Sequence, residues 1–264
     1  IQNKFKLKES ILDSTTEVFS DIKNRFFKDL EDTQKQAIWA YIFSIRIVRN
    51  AVPREKIVQM FLRLNSNNMT LNPQELRNAE FEGEFLELAA QLAELPFWDK
   101  NKLFGIADRR RMRDITFVSN LLTFMKLGID EGITSKNINR IYELFNNEYP
   151  NKENDVEVFN AVITTVDGII NDNTYRQSFL SSKVHLYSLF TLIFGMLVSG
   201  KPLNDEQIHK YRNFIDNYDN VQVLEKYFEN KIALIDEYKS KSKEGTNQKS
   251  NRLRRFEILS ELVK

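Results

Sequence analysis

Residues Met60 to Phe85 read MFLRLNSNNMTLNPQELRNAEFEGEF, a stretch in which polar side chains are unusually dense for a connection between helices. Within it, Asn72-Pro73-Gln74-Glu75 places a helix N-cap residue before a proline, and a glutamate three residues after the cap. Asn72 and Glu75 suit a helix N-terminus, because the side chain of each can accept a hydrogen bond from a free backbone amide. The pattern therefore predicts that a helix begins at Pro73.

Helical periodicity also dominates the rest of the chain. After Pro53, apolar residues recur three and four positions apart, and Asn204 to Gln207 repeats the capping pattern. We therefore predict an all-α, multi-helix bundle. Besides the helix that begins at Pro73, its helices are expected over residues 53–64, 84–95, 109–127, 135–147, 153–171, 178–198, 204–217 and 220–240.

Two segments break the helical rhythm. Residues Tyr41 to Val48 (YIFSIRIV) and Phe5 to Lys8 alternate like strands, and the first is rich in β-branched and aromatic residues. We predict a minor two-stranded β element near residues 4–8 and 41–48. Two short strands are not stable alone, so they should pair against a helix or complete a sheet whose other strands lie upstream.

The end of the chain has a different composition. Residues 239–251 (KSKSKEGTNQKSN) are polar, and a short basic and apolar segment follows them. We therefore predict a helical bundle domain over residues 53–240, followed at 241–264 by a flexible linker and a C-terminal docking helix.

Composition excludes several classes of site. The 38 Lys and Arg residues nearly balance 37 Asp and Glu, so nucleic acid would need a local basic patch. Zero cysteines exclude disulfides and thiolate metal sites and suit the cytoplasm, where we place the protein. Only His185 and His209 offer imidazole ligands, without a zinc spacing, so no metal site is expected. The longest apolar run, Val184 to Val198, is shorter than the ~20 residues that span a bilayer, and predicts a core helix instead of a membrane partner.

The polar block itself allows two interpretations. Asparagine and serine are common turn formers, so the block can be a hydrogen-bonded corner between helices. The same side chains can also bind a ligand or a partner. The residues alone leave both interpretations open.

A family resemblance favours the second interpretation. The string Phe61-Leu62-Arg63-Leu64-Asn65-Ser66, then Leu71 to Ala79, then Gly83 and Phe85, resembles the F-x-R-L-N-S, L-x-P-Q-E-L-R-N-A and G-x-F signature of the ParB-like GmrSD restriction-endonuclease N-terminal domain family. Weaker similarity extends over most of the chain, including Asn3 to Leu7, which resembles the segment after that family's D-G-Q-Q-R motif.

The resemblance implies a place for this chain within the family. The family's active half is a ParB-like fold whose D-G-Q-Q-R and Q-R motifs are associated with nucleotide hydrolysis and nuclease activity in modification-dependent anti-phage defence. Neither the D-G-Q-Q-R motif nor the family's earlier Q-R motif occurs here, so the chain resembles the helical half, and residues 1–52 resemble a remnant of the upstream domain with connecting helices. We expect about 100 residues, a small domain, before Ile1, and with them NTP and Mg as cofactors of the longer protein.

The resemblance also suggests which residues meet that domain. We expect the isolated chain to be inactive, with no catalytic residue and no cofactor of its own, and its oligomeric state stays open. The residues expected to complete the interface or nucleotide site are Arg63, Asn65, Glu75, Arg77 and Asn78.

Two basic clusters support alternative roles. Nearby aspartates can pair with the first cluster, whereas phosphate contacts would make either cluster part of a DNA-binding module. A third alternative is a protein-interaction scaffold. The candidate nucleic-acid contacts are Arg109, Arg110, Arg111 and Arg113 in the first cluster and Arg252, Arg254 and Arg255 in the second.

Overall fold

The computed structural model of the protein describes residues 22, 24–45, 47, 52, 53, 56, 57, 59, 60 and 71–264. Within these residues the regular structure is helical, which confirms the all-α class. The chain divides into two compact units: unit 1 comprises residues 1–80 and 105–113, and unit 2 comprises residues 81–104 and 114–264.

From Pro73 onwards, short connections join the helices. In unit 1 and at its boundary they are α1 (Asp32–Trp39), α2 (Pro73–Glu80), α5 (Ile106–Arg110) and the first residue of α6 (Arg113–Leu127). Unit 2 contains the rest of α6 together with α3 (Glu84–Ala93), α4 (Pro96–Lys100), α7 (Ser135–Leu144), α8 (Lys152–Ile170), α9 (Thr174–Ser181), α10 (Lys183–Val198), α11 (Asp205–Asp216), α12 (Val221–Phe228), α13 (Ile232–Lys241) and α14 (Lys249–Leu262).

Helix α10 lies at the centre of unit 2. All eight residues from Leu186 to Ile193 are buried, as a helix that is apolar on every side requires. It packs against α8 on one side and α14 on another, and α13 packs in turn on α14. The apolar run that sequence analysis assigned to a core helix is therefore the core of this unit.

Three expected helices are interrupted. The one expected at 109–127 ends at Arg110, because Met112 adopts a left-handed backbone with φ of 51° before α6 begins. The one expected at 178–198 bends by 98° at Ser182 between α9 and α10. The one expected at 220–240 breaks after Phe228, because Glu229 has a φ of 27°. None of these breaks contains glycine or proline, so local sequence signals did not indicate them.

The minor β element is not seen in the described part of the chain. Residues Tyr41 to Ile45 and Ile47 carry no strand and remain exposed, so the expected strand at 41–48 lacks a pairing partner here. Residues 4–8 lie outside the described residues, as does most of the helix expected at 53–64.

Within the described ranges, no single helix has both the length and the apolar character needed to cross a membrane. Helices α9 and α10 meet these criteria only when they are taken together, across their bend.

Candidate functional site

The N-terminus of α2 has the capping geometry that its sequence predicts. The side-chain Oδ1 of Asn72 accepts hydrogen bonds from the amides of Gln74 at 2.8 Å and Glu75 at 3.0 Å. In return, Glu75 Oε2 accepts a hydrogen bond from the Asn72 amide at 2.7 Å. These bonds satisfy backbone donors that a helix start leaves free. The capping prediction is confirmed, and it accounts for part of the polar block.

A second set of contacts connects this cap to Arg111. The Asn72 side-chain amide donates to the carbonyl oxygen of Arg111 at 2.7 Å, and Arg111 Nη1 lies 3.2 Å from Glu75 Oε1. One carboxylate oxygen of Glu75 therefore caps the helix while the other pairs with a guanidinium. Only 12% of the Glu75 side chain is exposed, which strengthens the pair relative to one in open solvent. Glu75 thus has a structural role within unit 1.

The remaining residues of the predicted interface differ in exposure. Arg77 is buried, and its Nη1 donates to Gln74 Oε1 at 3.5 Å. Asn78, on the same helix, is exposed. Arg63 and Asn65 lie outside the described residues. Within the described part of the set, Asn78 is therefore the side chain most accessible to a partner.

The first arginine cluster does not form one continuous row. Because Met112 breaks the helix, Arg109 and Arg110 belong to α5, whereas Arg113 begins α6. Asp108 accepts a hydrogen bond from the Gly105 amide at 3.1 Å and pairs with Arg113 at 3.3 Å. Arg110 and Arg113 are exposed, whereas Arg109 and Arg111 are half-buried.

The second arginine cluster faces the interior of unit 2. Arg255 is 1% exposed and donates to Ser188 Oγ at 2.9 Å, to the Lys241 carbonyl at 2.7 Å and to the Thr246 carbonyl at 2.9 Å. Arg252 is also buried, with its Nη1 3.0 Å from the Tyr187 hydroxyl. These contacts attach α14 to the bundle, so neither guanidinium is open to a phosphate in this arrangement.

Arg254, between these two, lies on the outer side of α14. It donates to both carboxylate oxygens of Glu237, at 2.8 and 2.7 Å, and to Glu257 at 3.0 Å. The bidentate contact with Arg254 lowers the pKa of the Glu237 carboxyl. In this part of the chain, α13 continues to Lys241 and α14 begins at Lys249.

Gly83 and Phe85, which end the polar block, have structural roles in unit 2. The amides of Glu84 and Phe85, at the start of α3, donate to the carbonyls of Asn146 and Phe145, each at 3.1 Å. The end of α7 therefore caps the beginning of α3 with backbone carbonyls. Phe85 is fully buried, with its ring centroid 4.8 Å from that of Tyr142. Sequence reasoning missed this contact, although a glycine directly before a predicted helix was a signal for it.

The two histidines provide no metal centre in the described part of the chain, where no group of three His, Asp or Glu residues is placed to hold an ion. His185 is stacked on Phe179 at 4.1 Å, and its Nδ1 lies 3.0 Å from the Tyr238 hydroxyl. Burial, and then the charge of Arg255, lower the pKa of His185 to about 4. His185 therefore has a packing role on α10. His209 lies exposed on α11.

An open groove of about 530 Å³ lies beside the start of α12 in unit 2. Its acidic character is partly neutralised, because Arg176 donates to both carboxylate oxygens of Asp216 at 2.8 and 2.6 Å. Burial, followed by the charge of Asp219, raises the pKa of the Tyr175 phenol there. The groove contains no paired nucleophile and base. Its lining residues are Tyr175, Asp216, Asp219, Asn220, Val221 and Gln222.

Together, these features define an all-α protein with a capped, ion-paired polar cluster in unit 1 and a large helical core in unit 2. Comparison with protein-family models, curated proteins and solved structures found no match for the chain.

Proposed function

We propose that this chain is the helical support and recognition region of a GmrSD-like ParB-family protein, part of an NTP-dependent and modification-dependent anti-phage DNA restriction system in the cytoplasm. Its partner is a ParB-like domain that carries the D-G-Q-Q-R motif and binds NTP and Mg. Catalysis belongs to that domain. The helical chain holds the domain in its active arrangement.

The observation that carries this proposal is an apolar surface in unit 1. We call residues 39–45 and 47 the apolar segment. Its large side chains are open to solvent, including Trp39 at 69% and Phe43 at 73% exposure. Surfaces of this kind mark interaction sites, because a protein that stays monomeric rarely leaves contiguous apolar side chains in water. The other exposed members are Tyr41, Ile42, Ile45 and Ile47.

The polar cluster supports the same role. The bonds among Asn72, Glu75 and Arg111 fix the N-terminus of α2, so that helix presents Asn78 from a rigid base. The nature of the partner comes from the resemblance of residues 60–85 to the GmrSD-like signature, in which Arg63, Asn65, Arg77 and Asn78 recur. In the complex, Asn78, which is exposed, contacts the partner's nucleotide site.

The test combines this chain with a separately purified ParB-like domain that carries the D-G-Q-Q-R motif. We expect the two to bind, and we expect the chain to raise the domain's rate of ATP or GTP hydrolysis in the presence of Mg. Asn78→Ala should reduce that stimulation without unfolding the chain, because Asn78 is exposed. Glu80→Ala, at another exposed position of α2, is the matched control and should leave stimulation unchanged. Lack of binding and of stimulation would reject the proposal.

DNA binding is the second candidate function, because Arg110 and Arg113 are both exposed, the Arg113 side chain at 64%. If these residues contact phosphates, Arg110→Glu with Arg113→Glu should abolish duplex binding that weakens steeply with salt. Arg254→Glu, in the other basic cluster, is the control. If the unaltered chain does not retain duplex DNA at low salt, this function is excluded and a protein-interaction scaffold is favoured.

A further inference from the structure

A pocket of about 310 Å³ lies in unit 2 beside the turn that joins α12 to α13. Its lining comes from three places in the chain: Lys210 on α11, residues 227–231 around the turn, and Leu262 and Lys264 at the end of α14. Pockets that hold small molecules have volumes of about 300 to 1,000 Å³. The pocket therefore has the size of a site for one small ligand.

Positive charge dominates the lining of this pocket. Three ammonium groups belong to it, against the single carboxylate of Glu229. Because charges interact more strongly beside a protein wall than in open water, such a cluster attracts an anion. The lining therefore favours an anionic ligand. The three lysines are Lys210, Lys231 and Lys264.

Two of these lysines are held in place by the end of α14. The Nζ of Lys231 donates to the Glu261 carbonyl at 2.6 Å. The Nζ of Lys210 donates to the main-chain oxygen of Lys264 at 3.1 Å and pairs with Glu206 at 3.0 Å. These carbonyls are among those that a helix C-terminus leaves free, so the lysines have a structural role. An ammonium carries three N–H donors, so each lysine keeps at least one for a ligand.

An exposed aromatic ring lines the same pocket. Tyr227 is 57% exposed, and among the described residues its ring packs on no other aromatic ring. Phe228 and Leu262, which are buried, supply the apolar part of the lining. An open aromatic face stacks well with a nucleobase of any kind, because every base has a π-face. The ligand that matches the ring and the lysines therefore carries both a flat ring and an anionic group.

The turn that forms one wall of the pocket has a strained backbone. Glu229 has φ of 27° and ψ of −100°, outside the regions that residues other than glycine favour. Strained residues of this kind persist only where their surroundings hold them, and they concentrate at ligand-binding sites. Here the turn brings Tyr227 and Lys231, two residues to either side of Glu229, into one lining.

We propose that this pocket binds a free mononucleotide, with its phosphate on the lysines and its base on the ring of Tyr227. A phosphate accepts hydrogen bonds from several ammonium groups at once. An acidic side chain would pair with the lysines and leave the ring in water, and an apolar ligand would leave the lysines without an anion. The inference uses residues of unit 2 alone and goes beyond the proposed function, so either can fail without the other.

The experiment measures the binding of AMP to the complete chain by calorimetric titration at low salt. We expect a Kd of about 1 mM or tighter. Adenosine and inorganic phosphate should each bind at least about 10-fold more weakly than AMP, because each makes only one of the two kinds of contact. Salt at about 0.5 M should weaken AMP binding, since it screens the charges of the lysines.

Two substitutions at exposed positions test the ring and the charge separately. Tyr227→Ala should weaken AMP binding about 10-fold or more, because the base loses its stacking partner. Tyr175→Ala, at another exposed tyrosine, is the matched control and should leave binding unchanged. Lys264→Gln should weaken binding about 3-fold or more, because it removes one cation from the lining. Lys201→Gln, at an exposed lysine outside the pocket, is its control.

Glu229→Gln gives a test of the opposite sign. This substitution removes the one carboxylate of the lining, so AMP should bind about 2-fold or more tightly than to the unaltered chain. A variant that had lost its fold would bind more weakly, so tighter binding reports the charge of the pocket. Unchanged or weaker AMP binding by a folded Glu229→Gln variant would contradict a phosphate at this position.

Several other results would overturn the inference. One is the absence of binding by AMP, GMP, CMP and UMP up to about 5 mM. Another is equal binding by Tyr227→Ala and Tyr175→Ala. Adenosine that binds as tightly as AMP would show that the lysines do not hold a phosphate. A 5′-phosphorylated trinucleotide that binds at least about 10-fold more tightly than AMP would assign the pocket to the end of a strand and exclude the free nucleotide.

Discussion

Gly83 lies against the backbone of Asn146 so closely that a Cβ at this position would be 1.7 Å from the Asn146 carbonyl oxygen. The same carbonyl accepts the hydrogen bond from Glu84 that begins α3. The start of α3 can therefore contact the end of α7 only because Gly83 has no side chain.

We predict that Gly83→Ala lowers the free energy of unfolding by about 2 to 4 kcal/mol, because the helix start must move away and its two amides lose their acceptors. Urea denaturation measures the change. Gly168→Ala is the matched control: this glycine lies inside α8, and a Cβ there would have no atom within 4 Å apart from its chain neighbours and its own helix backbone. Alanine there should stabilise the protein by about 0.5 to 1 kcal/mol. A Gly83→Ala variant as stable as the unaltered protein would contradict the assigned contact.

The ion pair between Glu75 and Arg111 yields a second prediction. Glu75→Ala removes both the capping bond and the pair, so we expect it to destabilise α2 by about 1 to 2 kcal/mol. Combined with Arg111→Ala, a double-mutant cycle should give a coupling of about 0.5 to 1 kcal/mol. Hydrogen exchange of the α2 amides reports this locally.

The pair of Arg113 with Asp108 is the comparison for that cycle. Because the Arg113 side chain is 64% exposed, Arg113→Ala should change the exchange of nearby amides very little. If the effects of Glu75→Ala and Arg111→Ala on stability were simply additive, the coupling between the two side chains would be zero and the assigned ion pair would be contradicted.

The arginines of α14 yield a third prediction, since adjacent positions differ in burial. Arg255→Leu would leave the buried hydroxyl of Ser188 and the part-buried carbonyls of Lys241 and Thr246 without this donor, and we expect a loss of about 2 to 4 kcal/mol. Arg254→Leu, on the outer side, should cost less than about 1 kcal/mol. Denaturation of both variants under one set of conditions makes the comparison, and equal losses would contradict the structural role of Arg255.

Sequence reasoning worked best where the cause of a structure is local. At Asn204, the side chain accepts from the Gln207 amide at 2.9 Å and Gln207 returns a bond at 3.1 Å, as the four-residue pattern predicts. The start of α2 at Pro73 was predicted for the same reason. A capping motif contains all of its partners within four residues, so it can be identified without the fold.

Features that depend on distant partners were not predictable in this way. Arg255 looks like a surface residue in sequence, and its burial depends on Ser188 on α10 together with the carbonyls of Lys241, at the end of α13, and of Thr246. The breaks at Met112 and Glu229 likewise lack a local signal, because neither residue type favours positive φ. For the candidate site, the role of Glu75 as a cap was recognised, but its pairing with Arg111 required the fold.

His185 yields a prediction about pH. Burial, and then Arg255, lower its pKa from 6.5 to about 4, so the folded state favours the neutral ring. Above pH 6.5 the ring is neutral whether or not the chain is folded, and its contribution to stability is complete. As the pH falls from about 6.5 towards 4, the unfolded chain takes up a proton that the folded chain does not. Stability should then decrease by up to about 3 kcal/mol.

Urea denaturation from pH 7 to pH 4 measures this loss. Arg255 stays positive over this range and the hydroxyls of Tyr238 and Tyr218, which also face the ring, stay neutral, so His185 is the group in its cluster whose charge changes. Carboxylates elsewhere contribute equally to the pH dependence of the unaltered protein and of His185→Gln. The difference between the two stability curves therefore reports the protonation of this ring. We expect His185→Gln to flatten the fall with pH, and His209→Gln, at an exposed position, to retain it. An identical pH dependence for the unaltered protein and His185→Gln would show that burial does not hold the ring neutral.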